Sequence, residues 1–110
     1  MINTDKLVHF LHSSSAEVLD AMLDTRDSPS FESAWNEIYD RLKPIDTSPD
    51  TESIFIAISN ATCQHEIASY VADDIDLIYA ADKSGFTNAF INWLKSEYIQ
   101  GHFPYSRPDV

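Results

Sequence analysis

Between Pro44 and Asp82 the sequence has no lysine or arginine, yet eight carboxylates fall there: Asp46, Asp50, Glu52, Glu66, Asp73, Asp74, Asp76 and Asp82. Charge of one sign on a small folded surface steers a partner of the opposite sign, and it costs self-repulsion that folding must overcome. Glycine is nearly as scarce. With two glycines in the chain, a glycine-rich loop that cradles a nucleotide phosphate is excluded. The lone cysteine, Cys63, forms no intrachain disulfide. No charged leader and no apolar run of about 18 residues marks export or membrane insertion, so a reducing cytoplasm is the expected compartment.

Basic residues are few throughout: 7 against 18 acidic ones, a formal net charge of −11. Phosphate contacts need lysine and arginine, so neither nucleic acid nor an anionic membrane is an expected partner. A basic protein is. The chain is not an acidic disordered tail, because 44% of it is hydrophobic and 12% aromatic, enough for a packed core. Its 110 residues suit one domain.

Breaks at Asp27-Ser28-Pro29-Ser30, Lys43-Pro44 to Ser48-Pro49, Lys83-Ser84-Gly85 and Gly101 leave segments that read as helix. The expectation is an all-α, single-domain bundle of about five helices. In the first segment Leu7, Phe10, Leu11, Val18, Ala21 and Met22 recur at helical spacing, and Ser14 to Glu17 has the form of a capping box that could restart a second helix. In the second, Phe31, Ala34, Trp35, Ile38, Tyr39 and Leu42 share one arc, with Ser30 placed as an N-cap. Segment 53–59 is apolar all round and β-branched, so periodicity alone leaves helix and strand both open. Helix is favoured, since no second segment offers a partner strand.

On a wheel of about 100° per residue, Ile67, Tyr70, Val71, Ile75, Leu77, Ile78 and Ala81 spread over a broad apolar face. Glu66, Ser69, Asp73 and Asp76 fall outside it. Asp74 is the exception, landing about 20° from Ile67. A carboxylate desolvated without a partner costs several kcal/mol, so Asp74 is expected to be a buried structural group served by a helix N-terminus or by Arg41 or Arg26. The last segment, Phe86 to Gln100, places Phe86, Ala89, Phe90, Trp93, Leu94 and Tyr98 on one side, with Glu97 also directed there. Gly101 ends it in the left-handed position, and Phe103 is placed to fold back on the last turn.

Catalytic readings each lack an element. His65-Glu66 opens like a zinc-protease helix, but the second histidine would stand where Ser69 is. Cys63 and His65 give zinc two ligands where a structural site takes four, and Asp73, Asp74 and Asp76 lack the spacing and glycine of a calcium loop. As a nucleophile Cys63 is badly placed, because residues two apart on a helix diverge from one another; a helix-start cysteine packed as a small apolar group is the simpler reading. No enzyme, metal or cofactor is expected. Tyr79, at the edge of an apolar arc, is the candidate aromatic anchor for a protein partner.

The opening Lys6-Leu7-Val8-His9-Phe10-Leu11, the run Ser14 to Asp20, the aromatic amphipathic helices and the ending from Trp93 to Pro104 resemble small acidic helical bacterial immunity proteins. These are the colicin D immunity type and relatives paired with contact-dependent inhibition toxins. The likeness is one of pattern over roughly the first 45 residues and of composition beyond, so no residue role is carried over by position. It implies a non-catalytic binder that plugs a basic toxin domain, such as a nuclease, with carboxylates. The contact residues expected from charge are Glu66, Asp73, Asp76, Asp82, Asp50 and Glu52, with Tyr79 as anchor. The competing expectation is an acidic interaction or adaptor protein that forms a homodimer through its aromatic side.

Overall fold

A computed structural model describes residues 3–43 and 51–105. Six helices follow one another: α1 (Thr4–His12), α2 (Ala16–Arg26), α3 (Pro29–Leu42), α4 (Thr51–Thr62), α5 (His65–Ser84) and α6 (Ala89–Ile99). No strand occurs among the described residues. The fold is all-α, with one helix more than expected because the first segment divides in two. Ser15, in extended backbone, caps α2 by accepting from the Val18 amide at 3.2 Å. The cap is therefore one residue later than the capping-box pattern placed it. Ser14 instead turns back, its hydroxyl donating to the Phe10 carbonyl at the end of α1.

Two other expectations shift by local chemistry. Ser28, not Ser30, caps α3, because Pro29 occupies the first helical position, where a missing N–H is no loss. Cys63 does not start a helix; α4 runs to Thr62, and Cys63 is exposed with a left-handed φ of 56° just past its end. Segment 53–59 is helical throughout, with Ile54, Ile58 and Ser59 buried. A helix closes its own backbone hydrogen bonds, so this β-branched run needs no partner strand.

The core forms around α5, the longest helix, which packs against α3, α4 and α6, while α1 lies on α4. Ile67, Ala68, Val71, Ile75, Leu77, Ile78 and Ala81 are its buried face. Leu7 and Leu11 from α1, Leu19, Met22 and Leu23 from α2, and Phe90, Ile91 and Leu94 from α6 join the same cluster. Burial of one such side chain is worth about 1.5–3 kcal/mol. Both glycines end helices in left-handed backbone. After α5 the Phe86 amide donates to the Ala81 carbonyl and Gly85 to Asp82; after α6, His102 donates to Glu97 and Gly101 to Tyr98. At Gly101 the requirement is doubled, since a Cβ would stand 2.3 Å from the Lys6 Cβ on α1. That close approach seats the C-terminal segment, and Phe103 is fully buried behind it.

Candidate functional site

Arg26, the last residue of α2, is 4% exposed, and Asp74 in the middle of α5 is 0% exposed. Asp74 Oδ1 accepts from Arg26 Nη2 at 2.5 Å and from Trp35 Nε1 at 2.9 Å, and Oδ2 accepts from the Tyr98 hydroxyl at 2.5 Å. Arg26 Nη1 donates to the Pro104 carbonyl at 3.2 Å. Its guanidinium lies 4.5 Å from the Phe31 ring centroid, 4.7 Å from that of Tyr70 and 5.3 Å from that of Phe103. Burial works to lower the Arg26 pKa, but the Asp74 charge and the Tyr98 hydroxyl outweigh it and hold the value above normal. The Tyr98 phenol is driven well up, by burial first and then by Asp74. Of the two arginines proposed for Asp74, Arg26 is the partner; Arg41 lies 5.3 Å over the Phe86 ring. This ion pair ties α2, α3, α5, α6 and the C-terminal segment together, a structural task.

Directly above it opens a cleft of about 280 Å³, lined by Arg26, Asp27, Phe31, Glu32, Trp35, Asn36, Tyr70 and Asp73. The α2–α3 corner supplies Asp27 and the first turn of α3 supplies Glu32, so that carboxylate sits near a helix N-terminus, which favours its charge. From α5 come Tyr70 and, one turn on, Asp73. Tyr70 donates its hydroxyl to Asp27 Oδ1. That bond, with burial and the Asp27 and Glu66 charges, pushes the phenol up to about 12, so the hydroxyl stays protonated. Asp73 is raised from the ordinary carboxylate value by burial and then by the neighbouring charges of Asp74 and Asp76. Among the described residues no lysine or arginine pairs with Asp27, Glu32 or Asp73. The cleft's one cation, Arg26, is engaged by Asp74 beneath. Trp35 continues outward as a flat shelf, its ring stacked on exposed Tyr39 at 5.5 Å and 17°.

The other residues chosen from sequence distribute along α5. Glu66 is exposed two turns before Asp73. Asp76 is half-buried and accepts from Thr51 Oγ1 at 2.7 Å, which brings the first turn of α4, with exposed Glu52, beside the middle of α5. Asp82 pairs with Lys95 at 2.6 Å, both partly or largely exposed. Tyr79 is half-buried with the Lys83 ammonium 5.4 Å from its ring centroid. Asp50 lies outside the described residues. Glu97 is only partly buried and faces His102 at 3.8 Å rather than the core. Sequence reasoning missed Asp27, Glu32 and the aromatic walls. The available signal was Tyr70, which stands at the edge of the same wheel as Tyr79 with Glu66 four residues before it and Asp73 three after.

A second hollow of about 540 Å³ lies between α3 and the α5–α6 turn, lined by Glu37, Ile38, Arg41, Gly85, Phe86, Thr87 and Asn88. Its one carboxylate is offset by its one arginine, so it carries no comparable field. No group of histidine, cysteine and carboxylate able to hold a metal ion occurs among the described residues. No described helix is long and apolar enough to cross a membrane.

No curated protein and no solved structure matches the chain. A protein family described as Immunity protein PIM1 matches residues 1–105. The family match over nearly the whole length of this all-helical chain places it: it belongs to the Immunity protein PIM1 family.

Proposed function

We propose that the protein neutralises a cognate basic toxin domain by binding it, without catalysis, through the acidic surface on which α5 meets the α2–α3 corner. The observation that carries this reading is the convergence of Asp27, Glu32 and Asp73 on one aromatic-walled cleft whose own arginine is already engaged. Glu66 extends the surface along α5, and Glu52 and Asp76 extend it towards α4. A domain that handles a polyanion, as a nuclease does, needs lysine and arginine at its site, and fixed carboxylates satisfy them without offering a scissile bond. Complementary charge raises encounter rates to about 10⁸ M⁻¹s⁻¹ or more at low salt.

The test is to read the genes on either side for a toxin domain and to measure its binding to the protein. Its Kd for the protein should rise steeply as salt increases, and Asp73→Lys should weaken binding mainly through a slower association rate. Binding that is indifferent to ionic strength and to Asp73→Lys would put the interface elsewhere.

A further inference from the structure

Building on that reading, we infer that the cleft between the α2–α3 corner and α5 receives a single arginine side chain of the toxin partner. The volume, about 280 Å³, falls just below the range of small-molecule sites, about 300–1,000 Å³, and suits one side chain better than a whole ligand. Its chemistry selects for a planar cation. Asp27, Glu32 and Asp73 are exposed carboxylates at the cleft, and the half-buried rings of Trp35, stacked on Tyr39, and Tyr70, which carries Arg26 over one face, line it. Guanidinium stacks on aromatic faces and bonds carboxylates in a fork, whereas a lysine ammonium is a compact, strongly hydrated point charge.

The interior of the same protein already shows the arrangement. Arg26 lies within 4.5 Å of one aromatic centroid and 4.7 Å of a second, while bonded to a carboxylate. The cleft offers the same two kinds of group one layer further out, with its one cation, Arg26, already held by Asp74. A cation seated there offsets the charge that Asp74 and Asp76 exert on Asp73.

Acetyl-arginine amide, titrated into the full chain at millimolar concentrations and followed by NMR, tests the inference. The Trp35 indole N–H, which donates to Asp74 at the floor of the cleft, and the Tyr70 ring signals should shift saturably, while α4 amides stay in place. Acetyl-lysine amide should bind more weakly. In the Asp73→Asn, Glu32→Gln double variant the arginine amide should lose about fivefold in affinity, as removal of two solvent-exposed charges predicts. Absence of saturable shifts, equal binding of the two amides, or indifference to the double substitution would overturn the arginine seat. The toxin domain separates this failure from the broader one. If wild-type protein still binds toxin with steep salt dependence while the amide does not bind, only the seat falls. If toxin binding is itself insensitive to salt, the acidic interface falls with it.

Discussion

Removing the Asp74 carboxylate should destabilise the protein more than any substitution on its acidic surface. In Asp74→Ala the Arg26 guanidinium, 4% exposed, keeps the Pro104 carbonyl at 3.2 Å and its aromatic neighbours but loses its counter-charge. Breaking one side of a buried ion pair costs about 3–5 kcal/mol, a large share of the roughly 5–15 kcal/mol that separates folded from unfolded domains. With a urea m-value of about 1.5 kcal/mol/M, a loss of about 3 kcal/mol lowers the unfolding midpoint by about 2 M. Tryptophan fluorescence follows the transition, since Trp35 Nε1 donates to Asp74. The decisive comparison is Arg26→Met with Asp74→Leu. Replacing both charges by apolar groups removes the uncompensated ion, leaving the buried Tyr98 hydroxyl and the Trp35 indole N–H without their acceptor and the Pro104 carbonyl without its donor, at about 1–3 kcal/mol for each buried group. The double variant should therefore be more stable than Asp74→Ala, and Tyr98→Phe added to it should recover part of the remainder. If Arg26→Met and Asp74→Leu measured singly cost under about 1 kcal/mol each, or simply add, the pair is not the fastening described.

Asp73 should behave in the opposite sense. Its folded pKa is raised, so the folded state binds the proton more tightly; stability falls as pH rises from the unfolded value of 3.8 through the folded one. Asp73→Asn should be more stable than wild type at pH 7, by up to about 0.5 kcal/mol for so exposed a group. Urea midpoints should converge well below the unfolded value of 3.8, where both side chains are neutral, and the same variant should bind toxin more weakly. Gly101→Ala should lower the thermal midpoint far more than Gly85→Ala. Both positions have left-handed φ, worth about 1–2 kcal/mol, but a Cβ at residue 101 meets Lys6 at 2.3 Å and one at residue 85 meets nothing within 4 Å. Ser15→Ala should cost about 1 kcal/mol as the true cap of α2. Ser14→Ala should cost less, and a reversed order in denaturant melts would restore the capping box to residue 14.

The helices were legible because their apolar spacing is set by burial against one core, and burial is what most of this chain does. Segment 53–59 was ambiguous for a physical reason: a run apolar on every side carries no period. The division of the first segment, and the one-residue shift of its cap, turn on whether Ser14 bonds forwards or back, a competition that sequence spacing does not decide. Asp74 was legible because a carboxylate amid apolar positions has few affordable environments. The cleft was not, because two of its three carboxylates, Asp27 and Glu32, lie far from Asp73 in sequence. Only the packing of α3 on α5 brings them together.

The fate of the carboxylates between Pro44 and Asp82 shows why a count of charges overstates a field. Asp74 is internal and compensated by Arg26. Asp82 has Lys95, and Asp76 has the Thr51 hydroxyl. Exposed Glu52, Glu66 and Asp73 remain among the described members, and α2 and α3 add Asp27 and Glu32 to them. What makes this smaller set directional is the floor beneath it. Arg26 cannot turn outward to neutralise Asp27 or Asp73 without abandoning Asp74 in a dry interior, and that exchange costs far more than an exposed ion pair returns. The buried pair thus does two things at once: it fastens the C-terminal half of the fold to α2, and it keeps the nearest cation away from the rim. On the interface proposed above, a partner's cation would meet carboxylates that Arg26 is held back from pairing with.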